Sequence, residues 1–277
     1  MQINVVIKKH IFIFLAIIFW GLSYPVSKIT LEYMSPTVLT FIRFFIGGSI
    51  IFLISRKIIY GKKELINSLL NVALIILLLN IGIALTLNPA FASVMIYTQP
   101  VFVVLIEIIY YKRKVGLNEI FGMITAFIGV LIVVGSISFD LGSLIVLLAG
   151  FIWAIGTIYH NTNFKNADLI ALHSFMSLIS ALIVSLFIPF DYYFAEKYEG
   201  IAYAILLTLI AQVFGYLSWF YSIKEIGPIR SGIFSLLVPV AAYLFSYLIL
   251  GLHASFFTIL GSSMVLIGIF LLFIKRK

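Results

Sequence analysis

The chain has no cysteine, so it carries no disulfide framework and no thiol chemistry, and its redox compartment leaves no mark in the sequence. Charge is the second scarcity. Only 10% of the 277 residues are Asp, Glu, Lys or Arg, against roughly a quarter in soluble domains. The four histidines, His10, His160, His173 and His253, are scattered over different segments without metal-ligand spacing, so no metal is expected. A Gly-rich phosphate loop and a Gly-x-Ser-x-Gly nucleophile elbow are both missing. The expectation is therefore no enzyme, no cofactor, and no ATP-driven motor within the chain.

What is present in quantity is hydrocarbon. The chain is 63% hydrophobic, against roughly 45–50% in ordinary domains. Apolar runs of about 20 residues, the length that spans about 30 Å of bilayer core, follow one another almost without loops. The predicted helices are 11–30, 36–55, 65–87, 90–111, 117–136, 141–161, 169–189, 200–223, 228–250 and 254–274. Lys8 and Lys9 before the first run have the outline of a signal peptide, but no small-residue cleavage site follows and the run is read as a span. The fold class expected is an all-α polytopic membrane protein with ten transmembrane helices.

The net charge of +8 does not point to nucleic acid, because the basic residues sit in short interhelical loops. Lys8, Lys9, Arg56, Lys57, Lys62, Lys63, Lys112, Arg113, Lys114, Lys165, Lys224, Arg230, Lys275, Arg276 and Lys277 all fall on one side of that topology, leaving Lys28, Arg43 and Lys197. The opposite loops carry Glu32, Asp140, Asp191, Glu196 and Glu199. By the positive-inside rule both termini are cytoplasmic and the protein lies in the cytoplasmic membrane.

An internal repeat runs through the chain. Pro89 and Pro228 are 139 positions apart, as are Pro100 and Pro239, Gly122 and Gly261, and Gly129 and Gly268, with no insertion between them. Trp20 is answered by Trp153, six positions out of that register. Two repeats, 1–137 and 138–277, each with five spans, must enter the membrane from opposite sides. That inverted topology is characteristic of secondary transporters, which hold solute near the midplane.

Within the spans, Pro25, Pro100 and Pro239 crowd the carbonyls of Gly21, Ile96 and Ser235 and are expected as kinks or hinges. The glycines at 122 and 129, and at 261 and 268, each lie two turns apart on one face and are read as packing positions. Ionisable residues within spans are costly and are functional candidates by default. Arg43 lies about 10 Å into its helix at 1.5 Å per residue. Glu107 and His173 are the candidates for proton coupling, Glu107 having an ion pair with the nearby basic loop as its structural alternative. Trp20 and Trp153 fall at mid-span, where a flat apolar face with one N–H suits stacking on an organic solute or plain packing. Trp219 is read as an interfacial belt residue. Tyr24, Asn80, Tyr97, Gln99, Gln212 and Tyr243 complete a mostly aromatic set with a few directed polar groups, which fits a small amphiphilic molecule or, for each residue alone, interhelical hydrogen bonding.

The stretches FWGLSYPVSKITLEYMSPTVLTFIRFFIGG, NPAFASVMIYTQPVFVVL with LNEIFGMITAFIGVLIV, and IGPIRSGIFSLLVPVAAYLFSYLILG with ILGSSMVLIGIF resemble the EamA-type drug/metabolite transporters over nearly the whole chain. The resemblance implies two inverted five-helix repeats, a central cavity open alternately to either side, and transport of small organic metabolites. One departure stands out: where the family usually has Gly-Glu after the fourth and ninth helices, this chain has Lys112-Arg113 and Gly251-Leu252. The expected activity is export of a small metabolite such as a zwitterionic or aromatic amino acid. The alternatives are a carrier of cationic aromatic compounds and a non-transporting scaffold or lipid-handling accessory protein.

Overall fold

The computed structural model describes residues 2–112, 114, 116–135, 141–226 and 228–273. The expected charges at Arg113, Asp140, Lys275, Arg276 and Lys277 and the boundary at 137/138 lie outside them, as do the side chains of Lys8, Lys9 and Arg230. Among the described residues every regular element is helical, and one isolated antiparallel bridge joins Met34 to Phe194.

In chain order the helices are α1 (Gln2–Thr30), α2 (Pro36–Ser55), α3 (Lys62–Ser68), α4 (Leu74–Leu85), α5 (Pro89–Ile96), α6 (Gln99–Ile109), α7 (Leu117–Gly135), α8 (Leu141–Asn163), α9 (Leu169–Ser185) and α10 (Ile188–Asp191). They continue as α11 (Tyr198–Leu207), α12 (Tyr216–Ile226), α13 (Pro228–Ser235), α14 (Val238–Leu250) and α15 (Phe256–Phe273). A π-helical segment, Leu69–Ala73, joins α3 to α4, and a second, Thr208–Gly215, joins α11 to α12. Among the described residues six helical stretches are long and apolar enough to cross a bilayer: His10–Thr30, Pro36–Ser55, Lys62–Leu85, Pro89–Ile109, Leu141–Asn163 and Tyr198–Ile226. Shorter apolar helices, Ile120–Ile132, Leu169–Ser185, Val238–Leu250 and Phe256–Leu271, occupy the remaining expected positions.

Local chemistry sets the helix starts. Ser35 accepts from the Val38 N–H ahead of Pro36, Asn88 accepts from Ala90 N–H at 3.0 Å ahead of Pro89, and Asp168 accepts from Ile170 and Ala171 N–H. Two ends close in the left-handed region at positions in the 139-residue register, Lys112 at φ 50° and Gly251 at φ 65°.

Pro100 and Pro239 do not kink continuous helices as expected. The helix stops before each, at Ile96 and Ser235, and resumes at Gln99 and Val238, so that each proline occupies the first turn of a new helix, where its missing N–H costs nothing. Thr98 Oγ1 donates to Met95 O at 2.7 Å and Ser235 Oγ to Gly232 O at 2.8 Å, bonding carbonyls of the turns just before the breaks. Pro25, by contrast, is accommodated inside α1. The seventh predicted helix ends at Ser185 rather than 189, and Pro189 opens the short α10.

The glycines do pack. A Cβ on Gly129 would stand 2.5 Å from Gly261 O, and one on Gly268 would stand 2.5 Å from Gly122 O and Ala126 N, so α7 and α15 cross backbone to backbone. One end of the molecule is tied by the segment after α10: Ser35 N–H donates to Tyr193 O, Ala195 N–H to Tyr33 O, and Thr37 N–H to Asp191 Oδ2.

Candidate functional site

Arg43 on α2 is the charged group at the centre, only 4% exposed. Nη1 donates to Asn80 Oδ1 on α4 at 3.5 Å, and Asn80 Nδ2 donates to Thr40 Oγ1 at 2.8 Å, which in turn donates to Pro36 O. Arg43 Nε has no partner, and the phenols within electrostatic reach of the guanidinium are Tyr24 and Tyr216. A buried donor without an acceptor costs about 1–3 kcal/mol.

One turn along α2 from Arg43 is Gly47, where a Cβ would meet Gln212 Cγ at 2.5 Å and Thr208 Cγ2 at 3.3 Å. The absent side chain lets the second π segment approach α2 closely. Gln212, fully buried, turns Nε2 toward His173 Nε2 and Ser177 Oγ on α9, each at 3.0 Å. Its Oε1 is left without a partner. Gln212 thus packs against α2 one turn from Arg43 and carries a buried acceptor of its own without a partner.

Aromatic rings line the same region. His173 lies over Tyr216 at 4.1 Å between centroids and edge-on to Phe220 at 5.3 Å. Trp20 meets Tyr216 edge-on and tilts against Trp219, both at 5.5 Å. Its indole N–H donates to Ala211 O at 3.3 Å, inside the π segment, where the wider turn changes the carbonyl directions. Trp219, expected as a belt residue, is packed against this aromatic cluster.

The structure brings together Trp20, Tyr24, Arg43, Asn80, His173 and Gln212, with Tyr97 in electrostatic reach of Tyr24 and Tyr216. Trp153 stands edge-on to Tyr97 at 6.3 Å, and Gln99 donates to Thr157 Oγ1 at 2.8 Å, so these two belong to the seam with α8. Tyr243 lies apart. Its hydroxyl pairs with Ser262 Oγ at 2.9 Å, and it lines a groove of about 450 Å³ between α14 and α15 with Pro239, Tyr247 and His253. Glu107 is half-buried on α6. Among the described residues no group of three His, Asp or Glu side chains could hold a metal ion.

Sequence reasoning missed Tyr216 and Ser177. Each lies four residues beyond a polar residue it named, Gln212 and His173, and so one helical turn away. It also left Lys28 unassigned. The Lys28 ammonium donates to the carbonyls of Ile83, Ala84 and Thr86 at 2.6–3.1 Å, a cation on the C-terminus of α4.

Comparison with known proteins places this geometry. A model of the EamA-like transporter family matches residues 7–135 and again 140–274. An uncharacterized transporter of Archaeoglobus fulgidus is 26% identical over 97% of this chain and 100% of its own length. The uncharacterized transporter YoaV of Bacillus subtilis is 26% identical over 93% and 95%, and a probable amino-acid metabolite efflux pump of Escherichia coli is 24% identical over 95% and 94%. A solved crystal structure superposes with a TM-score of 0.68 over 95% of this chain and 96% of that one, at 14% identity, which shows a shared fold. This chain, a multi-pass membrane protein, belongs to the EamA-like transporter family.

Proposed function

We propose that the protein is a secondary carrier, an exporter, that moves a small organic solute bearing a carboxylate and an N–H or O–H donor. The observation that carries this reading is the pair of buried orphans, Arg43 Nε and Gln212 Oε1, beside Trp20, Tyr24 and Tyr216. A carboxylate would accept from the guanidinium, an ammonium would donate to the amide oxygen, and an organic body would lie against the rings. An amino acid is the simplest such molecule, and export by the E. coli relative's name agrees with it. A buried arginine with no described carboxylate beside it disfavours a cationic solute.

The solute would be exposed alternately by two five-helix halves, 1–137 and 138–277, with ten crossings in inverted orientation. The supporting features recur at 139 residues: the π segments begin at Leu69 and Thr208, and the helix breaks fall at Tyr97-Thr98 and Leu236-Leu237. Equivalent glycines of α7 and α15 meet antiparallel, Gly122 with Gly268 and Gly129 with Gly261, as they would across a two-fold axis in the membrane plane. Motion at the breaks before Pro100 and Pro239, and at Pro25, would open either side. The distribution of Lys and Arg supports cytoplasmic termini in the cytoplasmic membrane. Of the two groups expected for proton coupling, His173 touches the wall of the site through Gln212 and Tyr216.

The test is counterflow in liposomes loaded with pooled amino acids and metabolites. Saturable, protein-dependent exchange of carboxylate-bearing solutes, lost in Trp20→Ala and Tyr97→Ala at unchanged yields of folded protein, supports the reading. Exchange of cations alone would replace it with the cationic carrier. No exchange by folded protein would favour the scaffold.

A further inference from the structure

A second buried polar cluster lies outside the central site, where α3 and the first π segment meet α8. Asn71 Nδ2 donates to Gly156 O at 2.9 Å and to Asn67 Oδ1 at 2.9 Å. Asn67 Nδ2 then faces His160 Nδ1 at 3.2 Å and Met176 Sδ at 3.2 Å. Gly156 and His160 are one turn apart on α8, so the two amides stitch it at both points. The fit is tight: a Cβ on Gly156 would stand 2.6 Å from Leu70 O and 2.7 Å from the Asn71 amide.

The direction of this chain is forced. A backbone carbonyl can only accept, so Gly156 O fixes Asn71 with its amide nitrogen toward α8. That nitrogen's second hydrogen goes to Asn67 Oδ1, which leaves Asn67 presenting N–H to the imidazole. His160 Nδ1 must accept, and the ring is neutral with its proton on Nε2. A proton arriving at Nδ1 would set two donors face to face. Neither amide can turn to relieve this without giving up the bond to Gly156 O or that between Asn67 and Asn71.

We propose that His160 is a proton-binding site that controls this seam: neutral His160 holds α3 and the π segment against α8, and protonation at Nδ1 releases them. The role in gating rests on the carrier reading; the release itself does not. The ionisable groups on the surrounding elements are Lys62, Lys63 and Glu64 of α3, Glu107 of α6, His173 of α9 and, on α8 itself, Tyr159; the first π segment, α4 and α5 carry none. Lys62 and Lys63 are exposed, and His173 is engaged by Gln212 and Tyr216. Asn67 is the hydrogen-bond partner of the His160 ring, whose other neighbour is the Phe164 ring at 5.6 Å.

Because the chain has no cysteine, a pair of spin labels can be placed without background. Lys63→Cys on α3 and Thr162→Cys on α8 are both exposed, and their separation is read by pulsed electron resonance in liposomes, with no solute present. A single short distance at about pH 8 and an added longer population at about pH 5 are expected, centred on an imidazole titration. His160→Gln, which can still accept from Asn67 but does not titrate, should keep the short distance at both pH values. Asn67→Asp offers protonated Nδ1 a carboxylate and should hold the seam closed in acid. Identical distances at both pH values, or a pH response that survives His160→Gln, would overturn the proposal. Failure of counterflow with an intact pH-dependent distance change would remove the carrier reading and leave the switch.

Discussion

Arg43→Met separates stability from function. The side chain is 4% exposed, makes one hydrogen bond at the long limit of 3.5 Å, and leaves Nε unpaired. Removing it relieves an orphan donor and the desolvation of a cation, and replacing buried charge with apolar volume is neutral or stabilising by about 1–4 kcal/mol. Against that, Asn80 Oδ1 loses its partner, at about 1–3 kcal/mol. Taken at the middle of each range the two nearly cancel, so the melting temperature is expected to stay within a few degrees of the parent's, at about 2–4 °C per kcal/mol. A solute carboxylate, meanwhile, would lose its charged partner, which costs about 2–5 kcal/mol, or roughly 30-fold to a few thousand-fold in affinity. Thermal unfolding in detergent reads the first quantity and half-saturation in counterflow the second. A variant that melts well below the parent and binds solute normally would show that Arg43 is a structural strut and that the orphan-donor reasoning fails.

Other outcomes follow from the same geometry. Lys112 and Gly251 occupy equivalent left-handed positions, so Lys112→Gly should stabilise the protein by about 0.5–1 kcal/mol and raise its melting temperature, while Gly251→Ala should destabilise it by about 1–2 kcal/mol and lower it, although no atom lies within 4 Å of the added methyl. Shifts of the same sign would contradict the backbone argument. Gly268→Val drives a branched side chain into the α7 backbone and should cost about 3 kcal/mol or more, seen as lost monodisperse protein on size exclusion. Gly215→Ala places a methyl 2.5 Å from Trp20 Nε1 and should push the indole off Ala211 O, changing tryptophan emission and weakening solute binding in a protein that still folds.

The helices and their starts were legible because Ser35-Pro36, Asn88-Pro89 and Asp168 act locally on chemistry that a sequence displays. The glycine seam was legible because small residues at a spacing of seven have few other uses in lipid. Much of the central wall was also named, since Arg43, Asn80, Trp20, His173 and Gln212 are conspicuous among aliphatic neighbours. The π segments were not, because Leu69–Ala73 and Thr208–Gly215 use the same apolar residues as any α-turn. Tyr216 was missed, and the contact of Trp219 with Trp20 was not foreseen, because an aromatic near a helix end satisfies the interfacial rule equally well. Tyr243 was placed at the centre from its depth alone, but the rotation of α14 turns it toward Ser262.

The crossing of α7 and α15 has a consequence for how such a protein could arise. Position 122 meets 268 and position 129 meets 261, and these are each other's equivalents, so the surface is self-complementary. A single half therefore carries both sides of the contact. Two copies of one shorter ancestor, inserted opposite ways round in the same membrane, could have closed on each other through these same glycines before any gene fusion. The present chain would then have inherited a dimer interface as its own interior.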